Sequence, residues 1–461
     1  MTLIIVGILI IGYLLIATER LTNINKAAIA AFAGTVGWVL YISYGTDFLM
    51  SNHLSGYTDF LNGSVTTSDA AKNYIWHDIF LPCVAKCSEI VFFLLATMTI
   101  VEILHNNGCF DFLAVWLRTR NSRVLLWKLA VFSFIISANL DNISSTVMML
   151  TVMNSILPRT RDRIVYGSVV VVAVNFGGAL TVIGDPTTLV LWNKQAITAT
   201  SYSLSLLLPC LVGFMLPTYL IGRTLNETVQ LDQPTLPYRG DDTNLNVWQR
   251  LLMLFVGIGG LWFIPTFHNI TKLSPFLGAF CVLSLLWVVN EVFNRNIVAV
   301  GRRVSRSIPQ QLQYAIIQLM LYVMGIMLAV GAVEETGALA MCGETLEKYV
   351  GNIWVIGMVC TFVSTFLDNF ATAMTMVSLY DVSEITGGLN PFTSSLTVNG
   401  AYWKVVSYST ALGSSIFAVG SMAGIIYMQT EHVGLSWYFK HVGLRVMLAG
   451  IIGFGILYLT A

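Results

Sequence analysis

SANLDNISST (residues 137–146) and STFLDNFATA (residues 364–373) are one motif written twice. Each sets a Leu-Asp-Asn core after a serine and ahead of small or hydroxyl-bearing residues, in the middle of an apolar region. Residues 124–138 and 143–157 flank the first core, and 352–366 and 370–380 flank the second. A helix takes about 20 residues to cross a bilayer, so a complete helical hairpin takes about 40. These arms are too short for that. They predict two re-entrant hairpins, 124–157 and 352–380, each turning at mid-depth with an aspartate at its tip. Irregular backbone at that depth persists only where it is buried in protein or lines a polar cavity.

The whole chain has the same character. Its 461 residues are 56% hydrophobic and only 10% charged, with a mean hydropathy of +0.74. A soluble domain carries about 25% charge, and this chain has too little polar surface to be one. It reads as an all-α polytopic membrane protein whose solvent is the lipid bilayer. Zero net charge and the lack of a basic patch interleaved with aromatics exclude nucleic acid as a partner. The seven cysteines do not have metal-ligand spacing: Cys83 and Cys87 are four apart, with no histidine or second cysteine pair beside them. The opening MTLIIVGILIIGYLLIA lacks a basic n-region and a small-residue cleavage site, so it reads as a mature transmembrane helix rather than a signal peptide.

Apolar stretches at 2–18, 27–45, 89–105, 164–182, 203–222, 248–266, 273–290, 314–331, 402–419 and 442–460 predict about ten crossings. Lys and Arg mark cytoplasmic connections. Arg20 and Lys26 put the first loop inside, and the polar loop 46–88 then lies outside. Arg118, Arg120 and Arg123 precede the first hairpin and Arg159, Arg161 and Arg163 follow it, so that hairpin enters from the cytoplasm. Arg295, Arg302, Arg303 and Arg306 hold the loop 291–313 inside. The second hairpin has acidic flanks (Glu334, Glu335, Glu344, Glu347, Asp381, Glu384) and only Lys348 as a base, so it enters from outside. Both termini are then outside. Residues 1–222 and 248–461 form two inverted repeats joined by a cytoplasmic linker, 223–247. In secondary transporters that arrangement puts the substrate site at the repeat interface.

A second duplicated motif completes each half. NFGGALTVIGDPTT (175–188) aligns with ALGSSIFAVGSMAG (411–424) through Gly177/Gly413 and Gly184/Gly420. With Gly178 and Pro186 these glycines predict broken helices at 164–200 and 402–430. A dehydrated Na+ wants several oxygens at once. Unwound carbonyls at helix breaks supply some, and Asn, Ser and Thr side chains supply others. Asp141, Asp185 and Asp368 add charge where an unpaired carboxylate costs about 2.5–3.5 kcal/mol. Burial favours a carboxylate's protonated form and a neighbouring cation favours its ionised form. One site can therefore hold a proton or a Na+, and that competition is the minimum an antiporter needs.

At these motifs, and at SEIVFFLLATMTIVEIL (88–104), the chain resembles NhaD-type sodium/proton antiporters. Their superfamily also holds sodium-coupled dicarboxylate and arsenite transporters. The likeness runs from about residue 75 to the end, and the first 70 residues share only hydropathy with the family. The resemblance implies a secondary transporter, not an enzyme, that exchanges Na+, and Li+ with it, for H+ by alternating access. It implies a homodimer in a prokaryotic inner membrane, with scaffold helices supporting a moving, elevator-like transport domain. No cofactor is implied beyond the transported Na+ and H+. The family pattern assigns cation and proton binding to Asp141, Asn142, Ser144, Thr146, Asn175, Asp185, Thr187, Thr188, Ser364, Asp368 and Asn369. Na+ itself falls to Asp141, Asn142, Asp185, Asp368 and Asn369. Ser414 and Ser415 are second-half candidates. Ser421 stands where the first half has Asp185, and Ala411 where it has Asn175, so the half-sites are unequal.

Other readings compete at single residues. Asp141, Asp185 and Asp368 also suit helix capping. Glu89 and Glu102, thirteen apart near the ends of one helix, suit either a proton relay or snorkelling to an interface. Lys128 suits a lipid phosphate or a counter-charge to Asp141. Two other functions compete with antiport. A dicarboxylate or oxyanion transporter of the same architecture is opposed by three aspartates with no Lys or Arg in the motif regions. An intramembrane aspartyl protease wants Tyr-Asp and Gly-x-Gly-Asp, whereas Leu140 precedes Asp141 and Val182 opens VIGD.

Overall fold

In hydrocarbon a backbone amide must find its partner within its own segment or a closed sheet, and the apolar runs accordingly fold as helices. The computed structural model describes residues 1–22, 24–62, 65–231, 245–294, 314–384 and 390–460. Residues 232–244 of the linker lie outside these, as do Arg295, Arg302, Arg303 and Arg306. The first half comprises α1 (Thr2–Ala17), α2 (Lys26–Ser43), α3 (Ser68–Asn106), α4 (Ser122–Asn139), α5 (Asn142–Ile156), α6 (Thr160–Gly178), α7 (Pro186–Asn193) and α8 (Ala199–Gly222). The second comprises α9 (Val247–Thr271), α10 (Pro275–Phe293), α11 (Tyr314–Glu335), α12 (Ile353–Phe366), α13 (Asn369–Val377), α14 (Ala401–Phe417), α15 (Met422–Thr430) and α16 (Leu435–Thr460).

Among the described residues, nine helices are long and apolar enough to cross a membrane. Polarity is distributed as that solvent demands. Leu3, Phe32, Val131, Leu204, Phe255, Leu285, Phe362 and Ile451 are exposed on helix flanks, while Asp141, Asn175, Asp185, Ser364 and Asp368 are buried. The chain is a polytopic membrane protein.

Two expectations differ from what is observed. Residues 46–88, read as a polar loop, are largely helical: Gly45–Asn52 and Leu54–Leu61 are short helices, and α3 begins at Ser68. The crossing expected at 89–105 thus belongs to a helix of 39 residues. Asp69, Lys72, Asp78 and Lys86 give this stretch its loop-like polarity, but no glycine interrupts it. Pro82, which cannot donate to the helical ladder, is accommodated by a π-helical segment just before it, Ile75–Phe80. Second, α4 starts at Ser122 rather than 124, because Asn121 Oδ1 accepts the amides of Arg123 and Val124 at 3.1 Å. Its 18 residues are of spanning length, unlike the short arm expected, although the chain reverses at Leu140–Asp141 into α5.

Packing sorts the helices into two groups. In one, α2 lies along α11, with α1 and α3 beside them and α10 between α3 and α9. The α2–α11 backbones nearly touch: a methyl group on Gly325 would sit 2.5 Å from the Ala31 nitrogen, the small-residue contact on which membrane helices rely. In the other group α4 and α5 pack on α6, α12 and α13 on α14, and α8 along α16. The groups meet where α3 touches α5 and α7 and where α1 and α11 touch α13.

Candidate functional site

Four helix starts converge, and the residue capping each belongs to a duplicated motif. Asp141 caps α5, its Oδ1 accepting the Ser144 amide at 2.8 Å. Asp368 caps α13 through the Phe370 amide at 3.0 Å. Asp185 caps α7 through the Thr187 amide at 2.8 Å, with Pro186 in the first helical position, where its missing N–H costs nothing. Ser421 caps α15 through the Gly424 amide at 3.1 Å. All four line one cavity of about 30 Å³, together with Asn142 and Asn369. That is room for about two water molecules.

Capping and site formation are therefore not alternatives. Each aspartate caps with Oδ1 and leaves Oδ2 for something else. Asp185 Oδ2 accepts Nδ2 of Asn142 in a short hydrogen bond and Nδ2 of Asn369 at 3.2 Å, so both hairpin tips reach the same carboxylate. Asp368 Oδ2 lies 2.5 Å from Lys26 Nζ. Asp141 Oδ2 is buried and has no hydrogen-bond partner among the described residues.

Behind the cavity wall the two halves use matching contacts. Ser137 Oγ lies 2.7 Å from Asn142 Oδ1 and 2.8 Å from the Val174 carbonyl, and Ser364 Oγ donates to the Thr410 carbonyl at 3.1 Å. Gly184 and Gly420 pass against the hairpins so closely that a methyl group would lie 2.8 Å from the Ser137 carbonyl oxygen and 2.0 Å from the Ser364 carbonyl oxygen. A methyl group on Gly178 would lie 2.1 Å from Asn142 Oδ1.

The other residues singled out in the sequence lie behind this wall or away from it. Asn175 donates to Ser415 Oγ at 3.1 Å and Ser421 Oγ at 3.2 Å, tying α6 to α14 and α15, and its Oδ1 is buried without a partner among the described residues. The hydroxyls of Thr146, Thr188, Ser414 and Ser415 donate to nearby helix carbonyls at 2.7, 2.9, 3.1 and 2.7 Å. Ser144 and Thr187 contribute the amides that hold the caps. Glu89 is half-buried on α3, and Glu102 accepts from Asn106 at 3.1 Å; neither lines the cavity. Lys128 is half-buried on α4, and its Nζ donates to the Trp116 carbonyl at 2.7 Å.

Sequence reasoning missed two participants. Lys26, read as a cytoplasmic loop residue, is the first residue of α2; it is only 4% exposed and pairs with Asp368. The motifs therefore do have a cation beside them, though from outside their own segments. Ser421, noted only as a departure from Asp185, is a cavity residue. Its place before a helix restart, after a glycine, was the available signal. A larger cleft of about 610 Å³ lies beside the first hairpin, between α4, the α6–α7 break, α8 and α9, lined by Asn139, Val182, Leu204 and Trp262 among others. It contains none of the three aspartates.

Residues 2–399 match the family described as citrate transporter, CitMHS. The chain belongs to the citrate transporter family. It is thus a membrane transporter, which removes the protease reading, and the family match includes the first 70 residues, where the motifs gave only hydropathy. Among curated proteins, sodium/proton antiporter 2 of Arabidopsis thaliana is 28% identical over 94% of this chain and 93% of its own length. The Na(+)/H(+) antiporter NhaD of Vibrio cholerae is 21% identical over 92% and 84%, and that of Halomonas elongata 23% identical over 76% and 71%. The likeness to NhaD-type proteins read from the motifs is thus matched along most of the citrate transporter family chain.

Proposed function

We propose that this citrate transporter family member exchanges Na+, and Li+ with it, for H+. The observation that carries the reading is the convergence of Asp141, Asp185 and Asp368 on one cavity of about 30 Å³, with Asp141 Oδ2 buried and without a hydrogen-bond partner among the described residues. Three carboxylates against one ammonium leave an excess of negative charge for a small cation to neutralise. Na+ is bound by Asp141, Asp185 and the tip asparagines Asn142 and Asn369, with Asp368 as the second-half carboxylate. Asn175, Ser415 and Ser421 support the site from behind.

In this reading Na+ displaces protons from Asp141 and Asp185. The group of helices carrying both hairpins then moves against the α1–α3/α9–α11 group, and protons reload the site on the other side. The names of the antiporter relatives and the paired motifs support this, as does the division of the packing into two groups. Inverted repeats, entry of the hairpins from opposite sides, both termini outside, a homodimer and a prokaryotic inner membrane belong to the same proposal.

The family's description favours a second reading, symport of a carboxylate such as citrate. Helix N-termini suit anions, and four of them meet here. Three are already capped by the chain's own carboxylates, and the cavity is too small for a tricarboxylate. Everted vesicles with an acid interior and a pH-sensitive dye separate the two. Alkalinisation on adding NaCl or LiCl, absent in Asp141→Asn, supports antiport. Silence towards every cation, with uptake of labelled citrate, overturns it.

A further inference from the structure

Lys26 is a buried charge that the exchange reaction does not itself require. Its Nζ lies 2.5 Å from Asp368 Oδ2 and 4.3 Å from the centre of the Tyr322 ring, so carboxylate and aromatic face together hold the ammonium. Asp368 borders two cavities. One is the site shared with Asp141 and Asp185; the other, of about 10 Å³, is lined by Lys26, Glu19, Ile16 and Val419 among others. Glu19 Oε1 already accepts the Lys26 backbone amide at 3.4 Å. A second carboxylate therefore borders the space around the Lys26 side chain.

We propose that Lys26 is a tethered occupant of the cation position at Asp368, displaced to Glu19 when the transported ion binds. This rests on the antiport reading and adds to it what fills the second half-site between ions. An ammonium and a Na+ carry the same charge and compete for the same oxygen. Lys26 belongs to α2 and Asp368 to the tip before α13, so the pair also joins the two helix groups. Separating the groups with Asp368 bare would strand two buried charges, the costly way to break an ion pair. Separating them after a cation, or on the return leg a proton, has replaced Lys26 on Asp368, with Glu19 receiving the ammonium, strands neither. The pair thus blocks movement of the empty carrier and permits movement of the loaded one, which is what obligatory exchange demands.

The test uses purified full-length protein in proteoliposomes, with proton flux followed against Na+ concentration at one pH. Lys26→Met should lower the KM for Na+ by on the order of tenfold, since no tethered competitor has to leave. Lys26→Arg, which keeps a cation on α2, should return KM toward the wild-type value. Glu19→Gln should shift KM the opposite way, upward, because the displaced ammonium loses its second partner. A purely structural ion pair would lower rate or stability in all three without opposed shifts in KM. If Lys26→Met does not fold, an unchanged KM in Glu19→Gln still overturns the proposal. Wild-type protein that exchanges no Na+ for H+ refutes the antiport reading itself. Exchange by wild type without the opposed KM shifts refutes only the role of Lys26.

Discussion

Asp141 has one oxygen that caps a helix and one that, among the described residues, has no hydrogen-bond partner. Asparagine caps about as well as aspartate, so Asp141→Asn should melt within a few degrees of wild type and yet exchange no Na+. Melting and flux measured on one preparation check this, and retained exchange would remove Asp141 from the site. Gly178→Ala probes Asn142 from behind: the added methyl, 2.1 Å from Asn142 Oδ1, should push the amide off Asp185. Losing a hydrogen bond to a charged group should raise the Na+ KM by about tenfold, and an unchanged KM would free Asn142 of its assigned role. The aspartates were legible in the sequence because a carboxylate is expensive in an apolar segment. Lys26 was not, because a lysine opening a helix is the ordinary mark of a cytoplasmic loop. Its partner lies 342 residues away, and only tertiary structure brings them together.

At the scale of elements, each break holds its helix against a hairpin by backbone contact. A methyl group on Gly420 would lie 2.0 Å from the Ser364 carbonyl, which cannot swing aside as a side chain would. Gly420→Ala should cost about 1–3 kcal/mol by overpacking, read as a lower melting temperature in detergent. Gly434→Ala, with open space around it, should leave melting unchanged; equal behaviour of the two would contradict this packing. Arg163 and Glu431 join the start of α6 to the end of α15, Nε to Oε2 at 2.9 Å, with Glu431 fully buried. Arg163 was readable only as a cytoplasmic charge. Hairpin tips and breaks were legible from glycine, proline and the Leu-Asp-Asn repeat. The helices of 46–88 were not, since scattered charges look alike in a loop and on the exposed side of a helix.

Over the whole molecule, the two packing groups meet through few helices, α11 and α13 among them. Cysteines placed on α11 and α13 and joined by a short reducible cross-linker should stop exchange, and reduction should restore it. Exchange that continues while the groups are joined would rule out their relative movement. Hydropathy was enough to identify a polytopic helical protein. It did not show which helices keep company, because helices that face lipid and helices that face one another are equally apolar along most of their length.

The disparity between the two cavities bears on pharmacology. An organic molecule does not fit inside a space of about 30 Å³, so the ion's own cavity is a poor place to lodge a blocker. The cleft of about 610 Å³ between α9 and the first hairpin is within the range that drug-sized molecules occupy, and Trp262 gives it an aromatic wall. A compound wedged there would jam one helix group against the other, and its kinetic signature would be a reduced maximal rate with an unaltered KM for Na+.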